Sequence, residues 1–223
     1  MERTIEGSIP VMKPTKLENW PSRFQKEWVA RDYFVSPDGE KEFPDHHCKM
    51  TWEISKPFIK DYNGNAIDVG CRDGEYARYL HTHFNHTYCF DMRWRKKFVH
   101  NVDISKVTHW TTALGDGVYT TEATGGVIKR PTHPKKKPRP VDVRKLDDFK
   151  IENVKYIKLD VEGFELKCIK GGLETIKRDW PLMIVEQNDR GKEFEATKFL
   201  INELGYKHVA TCPRGWDWVL IKE

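Results

Sequence analysis

The feature that most restricts the fold is a recurring unit that starts at Ala66. A short apolar run ends on a glycine or a carboxylate, and a segment of helical periodicity follows. The first copy is Ala66-Ile67-Asp68-Val69-Gly70-Cys71-Arg72-Asp73-Gly74-Glu75, with two glycines four positions apart and a helical pattern over residues 75–83. Such a strand, glycine turn and helix let a ligand approach the backbone with no Cβ in the way. They also aim the free N–H groups of a helix start at that ligand. Later copies read as a strand over 87–90 with a helix over 94–100, then a strand over 107–114. A strand over 155–161 precedes a helix over 164–177 whose Leu166, Ile169, Leu173 and Ile176 share one face, and Gly171-Gly172 weakens that helix or brings it close to a neighbour. A strand over 182–186 and a helix over 193–204 complete the series. Residues 206–212 and 216–222 are then joined by Pro213-Arg214-Gly215 alone, a span only a tight antiparallel hairpin can make. Alternating strands and helices give a parallel sheet. The expected fold class is therefore α/β, mostly parallel, with one antiparallel hairpin at the C-terminus.

Two stretches fall outside the alternation. Residues 1–50 are rich in proline and polar residues, with a short amphipathic helix predicted over 22–31, and read as an arm or cap on a main domain at 51–223. His46-His47-Cys48 reads as a loop without metal, because no second ligand cluster stands at suitable spacing. Residues 51–62 read as a helix, stopped by Asn63-Gly64-Asn65. His81, His83 and His86 read as a solvated helix end. In the insertion at 115–140, the flanks of Gly125-Gly126 form a predicted β-hairpin, followed by a Lys- and Pro-rich loop unsuited to a sheet interior. That loop reads either as a cover over a site or as a solvated basic segment.

Composition excludes several classes. At 223 residues the chain buries roughly 70% of its unfolded surface as one large domain. No stretch approaches the ~20 apolar residues of a membrane span, and the charged N-terminus lacks a secretory core. The five cysteines, without paired spacing, read as free thiols in a reducing, cytoplasmic setting. A net charge of +4 is too modest to argue for nucleic acid.

Six acids, Asp68, Asp91, Asp116, Asp160, Glu162 and Glu186, fall at or just past predicted strand ends, the rim where such sheets bind ligands. Asp91 follows Asp68 at close to the ~20 residues expected of a ribose-binding acid. Gly70-Cys71-Arg72-Asp73-Gly74 lacks the G-x-G-x-x-G spacing and crowds acids that would repel a pyrophosphate. A ligand combining adenosine, an ammonium and a sulfonium suits it better. In that reading Asp91 bonds both ribose hydroxyls, Asp116 and the Leu114 backbone meet the adenine edge, and Gly70 and Gly74 approach the amino-acid tail. No P-loop and no nucleophile-elbow motif is present.

These residues carry a resemblance. The sequence resembles the FkbM-type family of S-adenosylmethionine-dependent O-methyltransferases through Ile67-Asp68-Val69-Gly70 with Gly74, Phe90-Asp91, Asn101, Ala113-Leu114-Gly115-Asp116 and Leu146-Asp147-Asp148. The most specific piece is Ile157-Lys158-Leu159-Asp160-Val161-Glu162-Gly163-Phe164-Glu165-Leu166, with Ile169-Lys170-Gly171-Gly172 and Ile184-Val185-Glu186. The resemblance implies a class I, Rossmann-like, seven-stranded methyltransferase sheet and methyl transfer to a hydroxyl of a small molecule or glycan, such as a sugar, glycolipid or polyketide. Arg72 stands where the family has a small polar residue, and could pair the methionine carboxylate; Asp91 replaces a glutamate. In-line displacement places the acceptor oxygen ~3 Å from the methyl, with a base to assist. Asp160 and Glu162 are the candidate bases, and Glu186 is expected to line the same crevice. A divalent cation on these carboxylates is the secondary reading.

Two other classes stay open. A nucleic-acid methyltransferase draws on Lys135-Lys136-Lys137 and Arg139, but the chain has neither a Pro-Pro nor a Pro-Cys motif, which leaves ribose O-methylation. A non-catalytic module binding the cofactor or a sugar would need Asp91 and the glycines but no later carboxylates.

Overall fold

A computed structural model describes residues 3–4, 12–17, 34–35, 41–42, 46–124, 127–128, 137–187, 194–212 and 215–223. Two-residue strands open the chain: β1 (Arg3–Thr4), β2 (Phe34–Val35) and β3 (Lys41–Glu42). Helix α1 (His46–Ser55) leads into β4 (Asn65–Val69), α2 (Ala77–Leu80), β5 (His86–Asp91), α3 (Phe98–Asn101) and β6 (Val107–Thr111). The insertion holds β7 (Ala113–Leu114), β8 (Tyr119–Thr124), β9 (Val127–Ile128) and β10 (Arg139–Arg144). The alternation resumes with β11 (Val154–Leu159), α4 (Glu165–Lys170), α5 (Leu173–Asp179), β12 (Leu182–Glu186) and α6 (Glu195–Asn202). It closes with β13 (Lys207–Thr211) and β14 (Asp217–Ile221).

The main sheet has seven strands in the order β13-β14-β12-β11-β4-β5-β6. All pairs from β12 to β6 are parallel, and β14 runs antiparallel between β12 and β13. The strand order reverses at β4 and β11, so a crevice opens past their carboxyl ends. Alternate residues bury against opposite layers. Ile67, Val69, Ile157, Leu159, Met183 and Val185 pack in the core cluster that takes Ile169, Ile176 and Leu200 from α4, α5 and α6. Ala66, Tyr156, Leu182, Ile184 and Val219 face Trp52 of α1 and Tyr76 and Leu80 at α2. At ~25 cal/mol per Å² of apolar area, burial on both faces stabilises this sheet.

Several boundaries depart from the sequence pattern, each for a local reason. The helix expected at 51–62 starts earlier and ends at Ser55, because Pro57 cannot continue it and only a 3₁₀ turn, Lys56–Phe58, follows. His47 and Cys48 therefore lie on a helix rather than in a loop, and α1 crosses the boundary drawn at residue 50. The strand expected over 107–114 breaks at Thr112: β6 stays in the main sheet while β7 joins a second one. That second sheet runs β1-β8-β10-β7, with β9 paired to β8. The hairpin is present as β8 and β9, with Thr124 opposite Val127; Gly125-Gly126 lies outside the described residues, as do residues 129–136 of the basic loop. Strand β10 is not among the expected elements, and it begins inside the Lys- and Pro-rich stretch read as unsuited to a sheet interior. It is tolerated because Pro140 pairs only with Glu122 of β8, while β7 joins β10 at Val143 and Arg144 alone. The helix expected over 164–177 is two helices, parted where Gly171 passes so close to Gly115 that a Cβ would sit 1.8 Å from its carbonyl oxygen. The helix expected over 22–31 lies outside the described residues. Thr15 fastens residues 12–17 to the β6 edge, donating its N–H to the His109 carbonyl at 2.7 Å.

Candidate functional site

A cavity of about 280 Å³ opens at the crevice where the strand order reverses. Its floor is the turn after β4, with Val69, Gly70 and Arg72, and the end of β5, with Phe90, Asp91 and Met92. Thr112, Ala113 and Leu114 form one side, and Val127 and Ile128 of β9 bring the inserted hairpin to the wall. Asp160, Val161 and Glu162 close the other side from the loop after β11.

The turn is shaped by backbone. Gly70 has φ +86°, and a Cβ there would lie 1.9 Å from the Asp160 carbonyl oxygen. Its lack of a side chain is thus required by the crossing of the loops after β4 and β11. Arg72 also adopts a left-handed φ, +46°. That conformation turns its N–H to Asp91 Oδ2 at 3.1 Å, while Arg93 N donates to Oδ1 at 2.8 Å. Each carboxylate oxygen keeps acceptor capacity toward the cavity. Burial raises the Asp91 pKa, against the pull of those two N–H bonds and of Arg95 and Arg72.

Beneath the turn, Asp68 is fully buried and neither of its oxygens has a hydrogen-bond partner among the described residues. Desolvation pushes its pKa up to about 7, against the attraction of Lys158. Asp68 does not line the cavity, and neither does Gly74, whose φ of +83° shapes the turn beside Phe98 and Val102. Leu114 lines the cavity, but its carbonyl accepts from Cys168 Sγ at 3.1 Å. Asp116 stands off the cavity, bonded by Lys167 Nζ at 3.3 Å and the Tyr119 hydroxyl at 3.2 Å.

The opposite rim is built from side chains. Lys158 is only 3% exposed, inside β11, and its Nζ lies 2.9 Å from Asp160 Oδ2. Burial works against this ammonium, but Asp160, Asp68 and Asp217 outweigh it and hold it protonated. Asp160 in turn is ionised: burial opposes its charge, and Lys158 with a hydrogen bond shared with Glu186 overcomes that. Glu186 is pushed the other way, by burial first and then by the Asp160 charge beside it, so it carries the proton of the pair. Glu186 was expected on the crevice wall; it stands behind Asp160 instead. Glu162 does line the cavity, at φ +57°, in a loop whose Val161 and Gly163 N–H groups both donate to Glu165 Oε1 at 3.1 Å.

Lys158 and Glu165 fall within the quoted family motif, but neither has a role in the sequence reading. A lysine within the apolar run Tyr156-Ile157-Lys158-Leu159 was the available signal, since a charge in a strand buried on both faces must have a partner. A cation in the carboxylate cluster would compete with this ammonium, which already supplies the positive charge. His81, His83 and His86 make no ligand cluster among the described residues.

The chain is similar to an FkbM methyltransferase from Methylobacillus flagellatus KT, with a TM-score of 0.53 at 17% identity, covering 74% of this chain and 45% of that one. It thus spans under half the length of that relative. Weaker similarities reach a precorrin-8w decarboxylase from Methanobacterium thermoautotrophicum (TM-score 0.47, 16% identity, 86% and 97% covered). They also reach a SAM-dependent methyltransferase from Aquifex aeolicus (0.39, 13%, 77% and 88%). No curated protein matches the chain. The Methyltransferase FkbM domain model matches residues 68–208, more than half of the sequence, from the end of β4 to the start of β13. The seven-stranded order and the matched span place this chain in the FkbM methyltransferase family.

Proposed function

We propose that the chain is an S-adenosylmethionine-dependent O-methyltransferase acting on a hydroxyl of a small molecule or glycan. The observation that carries this reading is one cavity with Asp91 at one end, its two oxygens fixed by backbone N–H groups, and ionised Asp160 at the other. The residues present fit the cofactor. Asp91 at the cavity floor suits a ribose diol. Arg72 at the cavity wall suits a carboxylate. When bound, S-adenosylmethionine supplies an activated methyl on sulfur.

The chain's own residues then do three things. The Gly70 turn and Asp91 hold the nucleoside in one orientation, which converts a bimolecular encounter into a positioned one. Asp160 would accept a hydrogen bond from the acceptor hydroxyl and take up its proton. Lys158 keeps Asp160 ionised, and protonated Glu186 keeps a second charge from building up behind it. Glu162 offers a second carboxylate at the acceptor end.

The test is calorimetry with S-adenosylhomocysteine, followed by a methyl-release assay over a panel of hydroxylated acceptors. Binding should weaken about 10–100-fold in Asp91→Ala, the loss expected for charge-assisted hydrogen bonds. A wild-type chain that does not bind S-adenosylhomocysteine would sink the reading. Binding without release on any acceptor would point to the non-catalytic alternative.

A further inference from the structure

We propose that His47, Cys212 and Asp217 bind a zinc ion that pins helix α1 to the C-terminal hairpin. Cys212 and Asp217 stand close together in the C-terminal hairpin, and the fold brings His47 to them from the far side of the sequence. Cys212 ends the β13 arm and Asp217 opens β14. The turn between them is closed by Cys212 N–H to the Asp217 carbonyl at 2.9 Å and Gly215 N–H to the Cys212 carbonyl at 2.6 Å. Two ligands therefore come from one short, hydrogen-bonded loop, and His47 descends on it from the first turn of α1.

The potential ligand atoms all lie within 4.8 Å of one another. Tetrahedral zinc, with ~2.0 Å to nitrogen and oxygen and ~2.3 Å to sulfur, spaces such atoms roughly 3.3–3.7 Å apart, so small side-chain adjustments suffice. The carboxyl of Asp217 is 1% exposed and only half satisfied. Thr51 donates to Oδ2 at 2.6 Å, while Oδ1 is buried without a hydrogen-bond partner among the described residues. His47 Nε2 stands 3.0 Å from Oδ2 but without hydrogen-bond geometry, and this buried atom has no hydrogen bond among the described residues. Cys212, 2% exposed, is a free thiol. A carboxylate oxygen without a partner and an imidazole nitrogen without a hydrogen bond, gathered with a buried thiol, carry a desolvation cost that a bound cation removes.

The donor set selects the metal. Sulfur and imidazole disfavour magnesium and calcium, which take oxygen ligands, and favour zinc. Coordination by Cys212 displaces its thiol proton to solvent, leaves a fourth position for water, and makes Thr51 an outer-shell support for the carboxylate. The inference does not rest on the methyl-transfer reading.

The full-length chain, stripped with a chelator, would be titrated with zinc by calorimetry and with cobalt(II) by absorption spectroscopy. One zinc per chain and a thiolate-to-cobalt charge-transfer band are expected. Cys212→Ser should abolish the band. Cys212→Ser and His47→Ala should each weaken zinc binding by more than the ~10–100-fold that loss of an outer-shell partner costs, and Thr51→Val by an amount within that range. Cys48→Ser, one residue along α1 from His47, should change neither. Circular dichroism would confirm that each variant folds. Absence of zinc uptake by the wild-type chain, uptake unchanged in Cys212→Ser and His47→Ala, or a cobalt spectrum without the thiolate band would overturn the proposal and leave a plain His47–Asp217 pair.

Discussion

The two rims of the cavity are made in different ways. At the β4–β5 end the contacts are local and use the backbone: Asp91 is held by the N–H groups of Arg72 and Arg93, nineteen and two residues away. At the β11–β12 end they are side chain to side chain and depend on register. Lys158 lies opposite Asp68 across β4, and Glu186 lies opposite Asp217 across β14, so a row of charges forms on one face of the sheet. A rim of the first kind tolerates changes to side chains that do not touch the ligand. A rim of the second kind is a coupled set in which each member sets the charge of the next.

That contrast predicts the largest single effect. Asp160→Asn should lower methyl transfer by about 10²–10⁴-fold, the usual contribution of a positioned base. S-adenosylhomocysteine affinity, measured by calorimetry, should stay within a few fold. If both fall together, the rims are one unit and the comparison fails. Gly70 is where they meet, because its missing Cβ leaves room for the Asp160 carbonyl. Gly70→Ala should therefore damage both, costing about 2–4 kcal/mol in chemical denaturation through left-handed strain and overpacking, and weakening ligand binding as well. A stable Gly70→Ala chain with normal affinity would break the weld between the two loops.

The same contrast explains what could be read from the sequence. The parallel sheet, the terminal hairpin, Gly70 and Asp91 were legible because each rests on a local pattern: apolar runs, a glycine turn, an acid at a fixed spacing. Lys158, the retreat of Glu186 behind Asp160, and the displacement of Asp116 toward Lys167 were not, because pairing register and long-range packing decide them. The split at Thr112 was hidden for a related reason. One uninterrupted β-prone run, Val107 to Leu114, serves two sheets, and only the partner strands show where it divides.

Asp68 sharpens the comparison through pH. It belongs to the β4 strand yet is placed in the field of Lys158 by register. Its carboxyl rises from an ordinary 3.8 to about 7 in the fold, chiefly through desolvation. A raised folded pKa means the native state holds the extra proton between those values, so this group's contribution to stability is present below pH ~4 and lost as pH rises toward 7. Asp68→Asn removes that slope. Its stability relative to the wild-type chain, followed as melting temperature in the absence of ligand, should improve from pH 5 to pH 8 by about 2–3 kcal/mol. A difference that stays flat with pH would mean Asp68 is already charged and compensated.

The smallest effect tests whether location or construction determines behaviour. Glu165 sits at the β11 rim, but its work is local: one carboxylate oxygen collects the N–H groups of Val161 and Gly163, four and two residues back. This holds the loop in which Glu162 takes its left-handed φ of +57°. If construction decides, Glu165 should behave like the β4–β5 rim, where acceptor geometry matters more than charge. Glu165→Gln keeps the amide oxygen as acceptor and should stay within about 1 kcal/mol of wild type with most of its activity. Glu165→Ala leaves two N–H groups unpaired and should cost about 1–3 kcal/mol in denaturant unfolding, together with a fall in turnover as Glu162 loses its fixed position. Equal losses in the two variants would show instead that Glu165 acts by its charge, as one more member of the coupled row that contains Asp160 and Glu186.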